Sequence, residues 1–231
     1  MFRKSHELTR IFTKIVFFTL LVSLLILGCE EEPAPPPLEQ PTPDFEGTIV
    51  AVGDSLTEGL GVEEEFAYPA VLERKLRDQG YLYKVVNAGI SGETSSGTLA
   101  RINWILTLNP DIVILVIGAN DGFRGIDPDL IKTNILKIVK ELKNKNVIVV
   151  LGAMQIVQNL GKDYTTAFAK IYPEIAQSEN IILTPFFLNG VATNRKLNQA
   201  DGIHPTARGY QVIVDNITPF VVKAINSHRQ K

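Results

Sequence analysis

Residues 111–117 read Asp-Ile-Val-Ile-Leu-Val-Ile. The apolar run is unbroken and rich in β-branched side chains, without the polar alternation of a half-exposed strand. It predicts a strand covered on both faces, the environment of a parallel sheet. Working outward, Thr48–Val52, Tyr83–Val86, Val147–Leu151 and Ile181–Leu183 are shorter runs of the same kind. Between them lie amphipathic stretches at 66–79, 94–108, 128–143 and 163–178, and a closing one at 206–226 with a kink expected at Pro219. In 128–143 the apolar positions Leu130, Ile131, Ile135, Leu136, Ile138, Val139 and Leu142 fall on helical spacing. Strands alternating with helices at this spacing predict parallel βαβ units, with helices on both faces of a sheet of about five strands. In such folds ligands bind outside the carboxyl ends of the strands.

The chain has 231 residues, 45% of them hydrophobic and 21% charged, which suits one domain with a full core. A net charge of −2 gives no electrostatic footprint for nucleic acid. Cys29 is the only cysteine, so a disulfide within the chain and a cysteine metal cluster are both excluded.

The N-terminal segment reads as an address. Arg3, Lys4, Arg10 and Lys14 precede a thirteen-residue apolar run, 15–27, shorter than the roughly 20 residues of a membrane span. Ile26-Leu27-Gly28-Cys29 resembles a bacterial lipobox, in which a lipid-modified cysteine follows the cleavage point. The other reading is an uncleaved anchor helix with an incidental cysteine. Residues 30–46 hold six acids, six prolines and no base, a composition that stays extended and semi-rigid. The expected organisation is a lipoprotein signal peptide over 1–28, a lipidated Cys29 and linker over 29–46, and one globular domain over 47–231. Cleavage before Cys29 removes four bases and one acid and leaves a net charge of −5, which argues against electrostatic adhesion to an acidic surface.

Three loops follow the first three strands. In Gly53-Asp54-Ser55-Leu56, Ser55 reads as a nucleophile or as a helix N-cap, with Gly53 allowing a tight turn. In 87–94, Gly92 reads as a backbone donor facing a ligand or as part of an ordinary turn. In 118–122, Asn120 reads as a side-chain donor or as an asparagine in a left-handed turn. If the strand order is 2-1-3-4-5, Gly92 and Asn120 flank Ser55, and donors around a nucleophile are worth about 10²–10³ each in rate.

A serine hydroxyl needs a base to take its proton. His6 lies in the leading segment and His228 close to the C-terminus, which leaves His204 as the histidine expected inside the domain. Pro205 keeps His204 off the closing helix. Asp201, three residues earlier, can orient the imidazole as a triad acid does. The plainer readings are a histidine bonded to backbone at the start of a helix, and a turn aspartate before Gly202.

Gly-Asp-Ser-Leu at 53–56, Gly92, Asn120 and Asp-x-x-His at 201–204 together resemble the four blocks of the SGNH/GDSL hydrolases. Residues 85–101, 117–125, 171–173, 185–187 and 201–205 are most similar to the bacterial thioesterase I, lysophospholipase and arylesterase branch. The resemblance implies a flavodoxin-like three-layer α/β/α sandwich and a Ser55–His204–Asp201 triad. It also implies an oxyanion hole from the Ser55 and Gly92 backbone N–H groups and the Asn120 side chain, with no metal or organic cofactor. The implied activity is hydrolysis of aryl, short acyl or lysophospholipid esters. Ala119 stands where that branch often has glycine, and the loop at about 155–162 is shorter than in that branch. Two rival readings are a carbohydrate O-deacetylase and a surface lipoprotein that binds ligand without turnover.

Of the remaining candidates, Asp54 and Asp121 read as acceptors for backbone N–H groups in their own loops. Glu93 reads as a first-turn helix acid, and Phe186 and Phe187 as core or groove residues. Gly59-Leu60-Gly61 lacks the third glycine of a dinucleotide loop, since position 64 is Glu.

Overall fold

The computed structural model describes residues 44–156 and 158–231. The expectations for the signal peptide, for Cys29 and for the linker up to residue 43 lie outside the described residues. Within them the parallel strands β1 (Gly47–Gly53), β2 (Tyr83–Gly89), β3 (Ile112–Val116), β4 (Ile148–Ala153) and β5 (Ile182–Phe186) form one sheet in the order 2-1-3-4-5. Every residue of β3 is buried, as its unbroken apolar run requires.

Helices cover both faces. On one side α2 (Tyr68–Asp78) and α8 (Ala207–His228) pack on each other, α2 against β2 and α8 against β3, β4 and β5. On the other side lie α3 (Ser95–Ala100), α4 (Ile102–Thr107), α6 (Pro128–Asn144) and α7 (Lys162–Glu179). The stripe on α6 is the predicted one. Ile131, Ile135, Ile138, Val139 and Leu142 are buried, each stabilising the fold by about 1.5–3 kcal/mol. Leu130 belongs to the predicted set yet is exposed, because it sits at the edge of the stripe in the first turn. Among the described residues no helix is long and apolar enough to cross a membrane.

Several boundaries differ from the sequence reading. Strand β2 runs on through Asn87, Ala88 and Gly89, which pair with Ala51, Val52 and Gly53 and so are ladder rather than loop. The single helix expected over 94–108 is two, broken at Arg101, whose backbone (φ −104°, ψ 11°) leaves the helical region. Helix α8 continues through Pro219 to His228. His228 is therefore part of the domain, contrary to the elimination argument. Its Nδ1 lies 2.7 Å from the Tyr83 hydroxyl and its Nε2 3.3 Å from Asp111. Tyr83 opens β2 and Asp111 precedes β3, so His228 sits at the amino ends of the strands, away from the loops of interest.

Candidate active site

Gly53 ends β1 beside Gly89 of β2 and Val116 of β3, so the loops that follow all three strands leave from one edge. Gly53 is needed there for close approach rather than for a turn: a Cβ would stand 2.2 Å from the Val116 carbonyl oxygen. The next residue, Asp54, caps helix α1 (Ser55–Glu58) by accepting from Leu56 N–H at 3.0 Å. The cap position belongs to Asp54, and Ser55 is the first helical residue. Its N–H has no acceptor among the described residues, as expected for a helix start. Ser55 itself is 9% exposed.

The hydroxyl of Ser55 lies 2.8 Å from His204 Nε2, and His204 Nδ1 lies 2.6 Å from Asp201 Oδ2. Asp201 Oδ1 also accepts from the backbone N–H groups of Ile203 (2.9 Å) and His204 (3.0 Å). The hydrogen bond from His204 is the largest influence on the Asp201 carboxyl and helps hold its pKa at about 2. An ionised carboxylate only accepts, so Nδ1 carries a hydrogen. In the neutral ring Nε2 then has a free lone pair for the Ser55 proton.

Residues 197–206 form a small hairpin that presents this turn. Thr206 N–H donates to Leu197 O, Gln199 N–H donates to His204 O, and Asn198 bridges to Pro205. Gln199 Nε2 donates to Leu60 O (2.7 Å) and Pro205 O (3.0 Å), tying the hairpin to the loop after α1. Nothing in the sequence singled out Gln199, because its partners are backbone carbonyls that no residue pattern reveals.

Gly92 stands in the turn Ile90–Glu93, closed by Glu93 N–H to Ile90 O (3.1 Å), with φ at +75°. Its N–H has no acceptor among the described residues, and its carbonyl accepts from Arg124 Nη2 at 3.0 Å. Asn120 opens no left-handed turn. That conformation belongs to Gly118 (φ +111°), and Asn120 lies inside helix α5 (Ala119–Phe123). Its Nδ2 donates to Glu93 O (3.0 Å) and to Asp54 Oδ2 (3.2 Å), so both amide hydrogens already have acceptors. Any further acceptor would have to compete with Glu93 O or Asp54 Oδ2 for one of them.

Two acids, Glu93 and Asp121, differ from expectation, whereas Asp54 accepts the Leu56 N–H of its own loop as expected. Asp54 is 1% exposed, and burial pushes its carboxyl up to about 6. Glu93 is not a first-turn helix acid, since it precedes the cap of α3. Thr94 caps α3, and Glu93 is buried in an ion pair with Arg101. Asp121 bonds across to another loop: it accepts from Ser95 N–H (2.8 Å) and Ser95 Oγ–H (2.5 Å). Phe187 is core, edge-on to Tyr68 at 5.3 Å, and Phe186 is half-buried. Among the described residues no three His, Cys, Asp or Glu side chains gather as metal ligands would.

Residues 51–212, from β1 into α8, match the model of the GDSL-like Lipase/Acylhydrolase family. The chain belongs to this family. It is 38% identical to Esterase TesA of Pseudomonas aeruginosa over 173 residues, covering 74% of this chain and 86% of that one. It is 35% identical over 169 residues to the Escherichia coli protein named Thioesterase 1/protease 1/lysophospholipase L1, covering 73% of this chain and 80% of that one. The psychrotrophic esterase EstA from Pseudoalteromonas, solved in a form inhibited by monoethylphosphonate, superposes with a TM-score of 0.74 at 31% identity. That likeness covers 78% of this chain and all of EstA. Ser55, Gly92, Asn120, Asp201 and His204 all lie within the matched span, and the sheet has the expected order 2-1-3-4-5.

Proposed function

We propose that this chain is a serine carboxylic ester hydrolase working through an acyl-enzyme on Ser55. The observation that carries the reading is the continuous relay from Ser55 Oγ to His204 to Asp201, at 2.8 and 2.6 Å. His204 Nε2 takes the Ser55 proton as Oγ attacks the ester carbonyl carbon. Negative charge passes to the carbonyl oxygen, where the Ser55 and Gly92 N–H groups and the Asn120 amide are available to receive it. The C–O bond to the alcohol breaks, and the proton held on Nε2 goes to the departing oxygen. Water, deprotonated by the same nitrogen, then releases the acid and restores the hydroxyl. Asp201 stays ionised throughout and stabilises the imidazolium.

Residues 1–46 suggest where this happens. A signal ending at a lipobox, followed by an acidic proline-rich stalk, supports an exported lipoprotein held by lipid on Cys29. Such a location separates the site from cytosolic acyl-CoA, so lysophospholipids, short acyl esters and aryl esters are the substrates proposed. The name of the Escherichia coli relative includes lysophospholipase, which favours that class.

One experiment joins these points. Protein beginning near residue 44 is assayed on aryl esters, acyl esters, lysophospholipid and acetylated sugars, and labelled in parallel with a fluorophosphonate. Turnover of the first three and an adduct on Ser55 are expected. Preference for acetylated sugars would instead indicate an O-deacetylase. No adduct on folded protein would indicate a binding lipoprotein. Separately, full-length protein with Cys29→Ser is expected to leave the membrane fraction.

A further inference from the structure

Glu93 meets both lateral donors of the site. Its backbone carbonyl receives Asn120 Nδ2 at 3.0 Å, and its peptide nitrogen closes the turn that holds Gly92. Its side chain is fixed from one direction. Arg101 Nε reaches Oε1 and Arg101 Nη2 reaches Oε2, both at 2.6 Å, and Thr98 Oγ1 donates to Oε2 at 2.9 Å. Arg101 Nη2 also donates to Ala88 O at 2.7 Å, in the ladder of β2. The guanidinium thus joins the donor turn to the rigid end of a strand.

The pair is costly for its place. Its side chains are 14% and 6% exposed, and Arg101 Nη1 is buried without a partner among the described residues. Buried ion pairs are generally no more stabilising than apolar side chains of the same volume. What a planar, forked guanidinium supplies over an apolar pair is direction. Side chains lean back toward the N-terminus of a helix, and from the end of α3 the Arg101 guanidinium reaches back to Glu93.

We propose that Arg101 is a positioning residue: through Glu93 it sets the distance between the Gly92 N–H and the Asn120 amide, and so the fit of the oxyanion. This rests on the esterase reading above. An error of about 1 Å in such a site costs on the order of 10²-fold in rate.

The test compares wild type, Arg101→Met, the double variant Arg101→Met/Glu93→Leu, Arg101→Lys and Ser55→Ala by thermal unfolding and by kcat and KM on an aryl ester. Arg101→Met leaves a buried carboxylate unpaired and is expected to lower both Tm and kcat. The double variant removes that charge while keeping the Glu93 backbone. Its Tm is expected to return to within about 3 °C of wild type, with kcat still about 10–100-fold down and KM changed less than about threefold. Recovery of kcat along with Tm would make the pair purely structural and overturn the proposal. Should the double variant fail to fold, Arg101→Lys decides: it keeps the charge but not the fork, and kcat equal to wild type would equally overturn it. Activity surviving in Ser55→Ala would defeat the esterase reading itself, whereas loss there with full kcat in the Arg101 variants defeats this inference alone.

Discussion

Ser55 Oγ lies 2.8 Å from His204 Nε2, although 149 positions separate them in the chain. The sheet makes the contact: β1 ends at the rim where the 197–206 hairpin, tied down by Gln199, delivers the imidazole. The ring faces Asp201 with its other nitrogen, so replacing that carboxylate by an amide disturbs the tautomer without removing bulk. Asp201→Asn is expected to cut kcat by about 10⁴-fold while Tm changes little, because the residue is exposed and an amide oxygen can still accept from Ile203 and His204 N–H. Stopped-flow or steady-state ester hydrolysis beside thermal unfolding checks both halves. The Asp201 carboxyl, lowered to about 2, is ionised at any workable pH. Its contribution to stability is present above about pH 4 and lost only as pH falls through 2. Being exposed, it is small.

Asp54 behaves oppositely. Its folded pKa of about 6 stands above the ordinary 3.8, because burial penalises the ionised form. Between those values the folded chain holds a proton that the unfolded chain has lost, so stability falls as pH rises. The full cost, on the order of 3 kcal/mol, is present above about pH 6 and absent below about pH 4. Asp54→Asn does not titrate. Urea unfolding of both proteins from pH 4 to pH 7 is expected to show wild type losing ground to the variant by that amount. A constant difference across the range would mean that the carboxyl titrates normally.

Much of this was legible in the residues. The unbroken apolar runs gave five parallel strands, and the glycine-rich loops between run and helix gave the rim. The proposed triad was legible because few residue types can do its chemistry. The remainder depended on long-range packing. Glu93 reads locally as a first-turn helix acid, and its pairing with Arg101, eight residues on, follows from packing that no local pattern reveals. His228 reads locally as the end of the chain, two residues past the closing stretch, and its partners Tyr83 and Asp111 are distant in sequence. The acceptors on Asn120 were invisible for another reason: one is a carbonyl, and the other is a carboxylate that local sequence assigns to its own loop.

Gly118 shows what the backbone requires ahead of Asn120. At φ +111° and ψ −13° it is outside the range comfortable for any other residue, and a Cβ there would stand 2.4 Å from the Tyr172 hydroxyl oxygen. That hydroxyl donates to Ile117 O at 2.9 Å. Gly118→Ala is expected to cost about 2–4 kcal/mol from strain and overlap together. Tyr172→Phe should cost about 1–2 kcal/mol for the orphaned carbonyl. The double variant is expected to fall short of the sum by about 1 kcal/mol, since the overlapping atom is gone. Strict additivity in a denaturant-unfolding cycle would assign the whole glycine effect to backbone conformation.

Asp121 links the two loops from beneath. It is fully buried and takes both the N–H and the hydroxyl of Ser95, the first residue of α3, while Asn134 Nδ2 donates to Ser95 Oγ (3.1 Å) and Ser96 Oγ (2.9 Å). The acceptors matter here more than the charge. An asparagine keeps one acceptor for the Ser95 N–H, and the serine hydroxyl can rotate to receive the new amide hydrogen. Asp121→Asn should therefore cost about 1 kcal/mol, whereas Asp121→Ala strands two buried donors and should cost about 3 kcal/mol. Chemical denaturation of the two variants separates the explanations. An equal loss in both would mean that the pocket requires what both variants lack, the charge together with the second carboxylate acceptor, rather than the acceptor the amide retains.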